Sequence, residues 1–432
     1  MVYVLNQNGQ PLMPTENHAK VRMFLKSKRA KVVKRYPFTI RLLYKSPAYT
    51  QDVVLGVDAG SKHVGLSATT KNKVLYESDV ELRNDVVDLL SARRELRRSR
   101  RNRNTRYRKP RFDNRRRKDK WLAPSVRNKV DSHLTAVRKV HEILPVTKVI
   151  VEVAAFDMQR LKADAEGLAR PEGADYQKGE QMGFWNVREY VLFRDGHQCQ
   201  CCKGKSKDKV LNVHHIESRK TGGNATNNLI TLCETCHAGF HKGTVKLPKD
   251  IKRGMSFRDA AFMGIMRWAF YNTLKEIYPN VGLTFGYITK NTRIENNLSV
   301  KEAEHNSGKK TYLVNHVIDA RCISGNPKAV SDGVVYYQKK IRCHNRQIHK
   351  CKILKGGVHK RNQADYLVKG FRLYDTVQYK GKPYFIMGRR SSGFFDIRTL
   401  GGAKVNKGSV SCKTLRLIIP AGNYMIERKV VA

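Results

Sequence analysis

Apolar and polar positions change period several times along the chain, and each change marks an element. A strand at Val2 to Asn6, a turn at Asn8-Gly9, the string Pro11-Leu12-Met13-Pro14, a basic helical stretch and the alternating run FTIRLLY form a small α/β unit over residues 1–52. From Val53 the pattern predicts three strands, with Asp58 at the end of the first and Gly60 and Gly65 allowing tight backbone turns beside it. Asn84 or Asp85 can cap a helix opened by the apolar stripe of DVVDLL and ended by Pro110. Residues 131–145 read as an amphipathic helix feeding an apolar strand that carries Glu152, and 160–183 as a linker. Strand, loop and helix follow over 199–241, then a second linker and the apolar helix FRDAAFMGIMRWAFYNTLKEIY. In the apolar helix TYLVNHVIDARCISG, His316 and Asp319 lie three residues apart on one face. The last hundred residues open basic and aromatic-poor and become β-rich, with hairpin turns at Lys380-Gly381 and Ser392-Gly393 that predict a small barrel or sheet.

Charge changes this picture from fold to partner. The 432 residues, enough for two to three domains, hold 84 basic against 37 acidic side chains, a net charge of +47 that calls for a polyanion, nucleic acid first. A membrane is excluded by the lack of an 18-residue apolar run, and the N-terminus lacks signal-peptide order, so the expectation is a cytosolic protein. Thirteen arginines fall between Arg93 and Arg117 against only Glu95 and Asp113. On a helical rod, Arg93, Arg94, Arg97, Arg98, Arg101 and Arg108 can neutralise phosphates of more than one strand. A disordered basic tail is the bland alternative, but the run sits between two core strands. Arg389 and Arg390 are candidates for phosphate or guanine contact, or equally solvated loop arginines.

Cysteines and histidines bring in chemistry. Cys199 with Cys202 and Cys233 with Cys236 form two C-x2-C pairs, the spacing of a closed, structural four-thiolate zinc site. Cys201, Cys322, Cys343, Cys351 and Cys412 have no framework spacing and read as free thiols of a reducing compartment. Cys343 and Cys351, with His344 and His349 between them, can make a second zinc knuckle, although the basicity of the segment favours RNA contact. Between the first two pairs lie His214, His215 and Asn228, and His237 and His241 follow one helical turn apart. Phosphodiester hydrolysis needs a base near neutrality and a hard cation on the phosphate, and these residue types supply both. A plain zinc ribbon with bystander histidines is the alternative. Asp58, Glu152 and Asp319, on two strands and a helix, are what a two-metal phosphodiesterase requires; Asp58 alone would pass for a solvated turn aspartate.

The Cys/His pattern resembles the four-cysteine branch of the HNH (ββα-metal) nucleases. That resemblance implies His215 as general base, Asn228 orienting it, and His214, His237 and His241 on a single Mg2+, with His241 or a water in the last position. The split acids resemble RuvC-type RNase H folds, which implies Asp58, Glu152 and Asp319 as ligands of two Mg2+ and His316 as a ligand or proton-transfer group. Asn315 and an apparent insertion at 299–310 depart from that pattern without touching the acids. The arginine stretch resembles an arginine-rich bridge helix, and the Pro-Leu-Met-Pro string the N-terminal domain of the IscB family, transposon-encoded RNA-guided nucleases related to the large CRISPR nucleases with RuvC and HNH domains.

The ordered set resembles IscB over nearly the whole chain. It implies an α/β fold: a split RuvC (RNase H-like) core with an inserted ββα-metal HNH domain, an arginine-rich bridge helix and a small β-rich C-terminal domain. The implied domains are 1–52 (PLMP), 53–82 (RuvC part I), 83–120 (bridge helix), 121–183 (RuvC part II and linker), 184–245 (HNH with zinc), 246–330 (linker and RuvC part III) and 331–432 (RNA-contacting segment and target-adjacent-motif module). The implied activity is RNA-guided double-strand DNA cleavage, HNH cutting the guide-paired strand and RuvC the displaced one. The implied partners are a guide (omega) RNA and double-stranded DNA with a short flanking motif, in a monomeric ribonucleoprotein of bacterial or archaeal cytoplasm. A protein-guided HNH homing-type endonuclease would need base-reading helices, which the pattern does not show. A catalytically idle RNA-binding scaffold would not need two separate sets of acids and histidines.

Overall fold

Four short strands, β1 (Val2–Leu5), β2 (Pro11–Thr15), β3 (Ala30–Lys34) and β4 (Thr39–Leu42), form a sheet ordered β2-β1-β4-β3 beside helix α1 (His18–Lys26). Pro11 and Pro14 lie on edge strand β2, where a missing amide costs no ladder bond. The Asn17 side chain caps α1 by accepting the Lys20 amide at 2.8 Å. Tyr3 donates its hydroxyl to the Leu75 carbonyl at 2.8 Å and so ties this unit to the next. The computed structural model describes residues 1–101, 122–153, 184, 186–217, 224, 226–248, 258–298, 311–342 and 365–430. Arg108, the second half of the arginine run, the expected linker at 160–183, the expected insertion at 299–310 and the 343–351 cysteine segment lie outside the described residues.

The central sheet is built on β5 (Val54–Ala59), β6 (His63–Thr69) and β7 (Val74–Glu81), the three strands expected after Val53, joined as an antiparallel meander. Helix α2 (Val86–Arg101) leaves its edge, with Asp85 at the N-cap: its carbonyl accepts the Leu89 amide while its carboxylate is gripped by Arg83 through two bonds of 2.9 Å. Next come α3 (Pro124–His141) and β8 (Lys148–Glu152), which pairs parallel to β5. The expected helix at 131–145 thus begins earlier, because Pro124 stands in the first turn where its missing amide is harmless, and ends earlier, at His141.

An HNH-sized unit is interposed: α4 (Val187–Arg194), β9 (Leu211–His215), β10 (Leu229–Cys233) and α5 (Glu234–Lys242), which ends on Gly243 in the left-handed region. The chain returns with α6 (Arg258–Ile277), β11 (Val281–Thr284), α7 (Gly286–Glu295), α8 (Thr311–Ile323) and β12 (Val334–Lys340). A five-stranded sheet follows, of β13 (Thr376–Tyr379), β14 (Lys382–Arg389), β15 (Phe394–Arg398), β16 (Val410–Ser411) and β17 (Arg416–Ile419), before β18 (Tyr424–Val430). Its hairpin turn at Lys380-Gly381 has positive φ at both residues, as a two-residue connection requires.

One domain boundary is corrected. The expected C-terminal domain of 331–432 loses both its ends to the central sheet, whose order is β11-β8-β5-β6-β7-β12-β18. Strand β12 pairs parallel to β7, and β18 lies antiparallel along β12 from Val334↔Val430 to Lys340↔Tyr424. The small sheet is therefore an insert between two neighbouring strands of the main one.

Alternation along β5 splits its side chains between two layers. Leu55, Val57 and Ala59 enter a core with Val130, Val137 and Val140 of α3 and Met266, Phe270 and Leu274 of α6. Gly56 and Asp58 face the other way, toward α8. A Cβ at Gly56 would fall on the Ala320 carbonyl, and one at Gly65 on the His316 carbonyl. Helix α8 thus lies backbone to backbone on the sheet, at a distance only glycine permits.

Two outcomes follow from this core. Gly65→Val should lift α8 and lower stability by at least about 1–3 kcal/mol, because the obstructing atoms are backbone and cannot turn aside; unchanged urea unfolding would refute the cradle. The second concerns His133, fully buried on α3, its Nδ1 2.8 Å from the Lys129 carbonyl, whose imidazole burial pushes down to about 4. The unfolded chain takes up this proton near 6.5 and the folded chain does not, so stability is lost as pH falls from about 6.5 toward 4, by up to on the order of 3 kcal/mol. Urea midpoints at pH 7 and 4.5 should converge in His133→Leu relative to the parent.

Candidate functional site

The first site forms where three elements of the central sheet meet. Asp58 ends β5, and α8, seated on its glycines, brings His316 and Asp319 over it, so that one ligand atom from each lies within 4.8 Å of the others. His316 Nδ1 is 2.7 Å from Asp58 Oδ2. Both carboxylates are buried, Asp58 at 4% and Asp319 at 5% exposure, and buried carboxylates are costly without counter-charge. Arg293 of α7, itself 2% exposed, supplies it by donating from Nη1 to Asp319 Oδ1 at 2.7 Å.

Glu152 stands apart from this trio. It ends β8 beside Asp58, as the parallel pairing Val57↔Val151 dictates, yet Arg267 of α6 holds its carboxylate at 3.5 Å. The same arginine donates from Nε to the Ala59 carbonyl at 2.9 Å, so it bridges the two strand ends. The structure therefore brings together Asp58, His316 and Asp319, with Glu152 adjacent and ion-paired. The set of carboxylate oxygens and one imidazole suits a hard divalent cation.

A second site lies on the β9–β10 hairpin. The pairing Ile230↔His214 and Leu229↔His215 sets the two histidines on opposite faces. His214 is buried against α5, where its ring centroid lies 5.1 Å from that of His237 and 5.3 Å from that of His241. These three offer ligand atoms within 4.8 Å of one another, and buried His214 Nε2 has no hydrogen-bond partner among the described residues. Burial, reinforced by neighbouring His237 and His241, pushes His214 down to about 4, and burial also lowers His237. Neutral imidazoles converging on an orphaned nitrogen fit a cation.

His215 faces away, with Nε2 2.9 Å from Asn224 Oδ1. Asn228, 7% exposed, works on the backbone instead: its Oδ1 accepts the Glu217 amide at 2.8 Å and its Nδ2 donates to the Glu217 carbonyl at 3.3 Å. Arg194 of α4 holds the same turn by donating to the Thr226 and Leu229 carbonyls at 2.8 and 2.9 Å.

Cys199, Cys202, Cys233 and Cys236 converge behind this hairpin, their sulfurs within 4.8 Å of one another. Cys233 caps α5 by accepting the Cys236 amide, and the Ser206 hydroxyl donates to the Cys233 sulfur at 3.0 Å. Hydrogen bonds from Ser206 pull Cys202 down to about 6, whereas burial pushes Cys233 and Cys236 up. Four thiols so crowded can all ionise only around a cation, and this cluster can hold a zinc ion.

Of the nucleic-acid candidates, Arg93, Arg94, Arg97 and Arg98 are exposed on α2, which ends at Arg101. Arg389 is committed elsewhere. Its guanidinium donates to the carbonyls of Asp365, Tyr366 and Phe371 at 2.8 Å each, and so fastens the entry to the small sheet. Arg390, exposed, reaches Ser409 Oγ at 3.2 Å and the Gly408 carbonyl at 3.3 Å. Sequence reasoning missed Arg267, Arg293 and Asn224. Nothing in their local spacing marks them, since each finds its partner across a distant part of the chain or within a loop.

Comparison with known proteins places these sites. Residues 2–179 match the RRXRR protein family, in the region where 97–101 reads Arg-Arg-Ser-Arg-Arg, and residues 199–243 match the HNH endonuclease family. Anaredoxin of Nostoc sp. (strain PCC 7120 / SAG 25.82 / UTEX 2576) is 39% identical over 68 residues, 16% of this chain and 84% of that protein. Among solved structures, Streptococcus thermophilus Cas9 in complex with AGGA PAM aligns at 13% identity and a TM-score of 0.22, over 47% of this chain and 26% of that one. The same Cas9 with the GGAA PAM aligns at 12% and 0.24, over 52% and 29%. The chain thus spans less than a third of the Cas9 chains. With an RRXRR region followed directly by an HNH endonuclease domain, the chain belongs to the IscB-like nucleases.

Proposed function

We propose that this chain is an RNA-guided double-strand DNA endonuclease, in which the HNH unit cuts the guide-paired strand and the Asp58 centre, of RuvC type, cuts the displaced strand. The observation that carries it is the presence in one chain of two unconnected ligand sets, histidines on a ββα hairpin and acids beneath a helix. The run β7-β6-β5-β8-β11, with its acid at the end of the first strand of the meander, supports an RNase H-like core. Sequence recognition would come from base pairing to a guide (omega) RNA, the protein contributing its arginine rod and a reader of a short flanking motif.

At the hairpin, His214, His237 and His241 would hold one Mg2+, and at the sheet Asp58, Asp319, His316 and the adjacent Glu152 would hold two. Magnesium at either centre would stabilise charge on the scissile phosphate. On the HNH side, His215 takes the proton of the attacking water, its ring oriented by Asn224 while Asn228 fixes the turn behind it. On the other side His316 Nδ1 is held by Asp58, which leaves Nε2 to ligate or to move a proton. Arg267 and Arg293 keep Glu152 and Asp319 ionised and in place. The four cysteines would enclose a structural zinc.

Strand-specific end labels test the division of labour. Asp58→Ala should leave a nickase for the guide-paired strand and His215→Ala one for the displaced strand, each losing several orders of magnitude on its own strand. If either substitution abolished both cuts while target binding persisted, the two-centre reading would be wrong. Protein freed of nucleic acid should not cut its target until guide RNA is restored, and site-specific cutting without RNA would return the protein-guided alternative. For the zinc, metal analysis should find about one ion per chain, and Cys233→Ser should lose it and unfold the hairpin unit more than the central sheet. An HNH-active protein stripped of zinc by chelation would refute the claim.

A further inference from the structure

Two Asp–His pairs stand side by side under α8, and the mechanism above uses only one. The pairing Asp58↔Gly65 and Gly65↔Asp79 puts both carboxylates on the face covered by that helix. Asp58 holds His316 at 2.7 Å, and Asp79 holds His63 Nδ1 at 2.8 Å. The rings of His63 and His316 are stacked, 5.5 Å between centroids and 7° from parallel. The Asp79 side chain is 1% exposed, and its second oxygen, Oδ2, is buried with no hydrogen-bond partner among the described residues. A carboxylate in mid-sheet with a single ring as its hydrogen-bond partner is a costly way to decorate a turn. The expense makes sense if the ring must not rotate.

We infer that His63 is a positioning residue of the Asp58 centre: Asp79 fixes the His63 ring, and that ring fixes the plane of His316 by stacking. Hydrogen-bonding at Nδ1 to Asp58 leaves the His316 imidazole free to tilt about the bonded edge. A parallel ring on its open face removes that freedom, so Nε2 keeps one direction. Gly65 makes the arrangement possible, because a side chain there would occupy the place of the His316 backbone. This inference rests on the proposed two-centre reading and adds to it a support for His316 outside the ligand set.

The test uses the guide-loaded ribonucleoprotein, a target labelled on each strand, and Asp58→Ala as reference. His63→Ala should lower kcat on the displaced strand by about 10–100-fold, the usual cost of losing a residue that orients a ligand, with KM unchanged. Cutting of the guide-paired strand in the same molecules should be unaffected. Asp79→Asn, which keeps the volume and one acceptor, should fall between His63→Ala and the parent. With ring-15N histidine, the His316 signals, identified by their loss in His316→Ala, should show one tautomer in the parent and a mixture in His63→Ala. Parental displaced-strand cutting in His63→Ala, an equal fall on both strands, or unchanged His316 signals would each overturn the inference. Failure of Asp58→Ala to separate the strands would instead remove the two-centre reading beneath it.

Discussion

The close seat of α8 on β5 and β6 is the constraint from which the central site follows. Gly56 and Gly65 let the helix backbone reach the sheet, and that approach carries His316 and Asp319 to Asp58. It also buries charge. Glu77, Asp79, Asp58 and Asp319 are all under 10% exposed. Each has a named cation or imidazole: Arg321 for Glu77, His63 for Asp79, His316 for Asp58 and Arg293 for Asp319. Removing any one partner would leave an uncompensated buried charge, which is worth more than the pair itself contributes. The helix seat and the ion pairs therefore stand or fall together.

The hairpin unit solves the same problem differently. It has little core of its own: Ile230 and Leu232 pack against the four cysteines, and Tyr190, Val191 and Leu229 make a second small cluster. A unit that small needs a staple, and the convergence of four sulfurs provides the place for one. Side-chain bonds to backbone do the remaining work, from Arg194 and Asp195 of the α4 end to the 226–231 segment. The two centres thus share no residue and no supporting bond among those that define them, which is what allows an insert to be carried by a host sheet.

Much of this was legible in the chain. The C-x2-C pairs and the His214-His215 doublet are local patterns whose geometry follows from strand and helix periods, and the sulfurs and imidazoles do converge. Asp58 was marked by its place at a strand end among glycines, and His316 and Asp319 by their spacing. What escaped were the partners. Asp79 is an acid in an apolar strand, the same signal that drew notice to Glu152, yet its histidine lies sixteen residues away on a neighbouring strand. Arg267 and Arg293 meet their acids only after the chain has folded across a hundred or twenty-six residues. The return of β18 to the central sheet was hidden for the same reason: a strand's pattern says that it pairs, not with what.

The arginine rod completes the logic of charge. A chain of net charge +47 nevertheless gathers acids under one helix, and it keeps them there by pairing each internally. The exposed arginines Arg93, Arg94, Arg97 and Arg98 have few such partners within reach, so their helix is left to attract anions from outside. That helix is rooted, through Arg83 and Asp85, immediately after β7, the strand that carries Asp79. On the proposed reading, a nucleic acid held by the rod is thereby anchored to the same rigid sheet that carries the Asp58 centre. A sheet edge transmits position far better than a flexible linker does, and so the grip on the phosphates and the site of cutting share one frame.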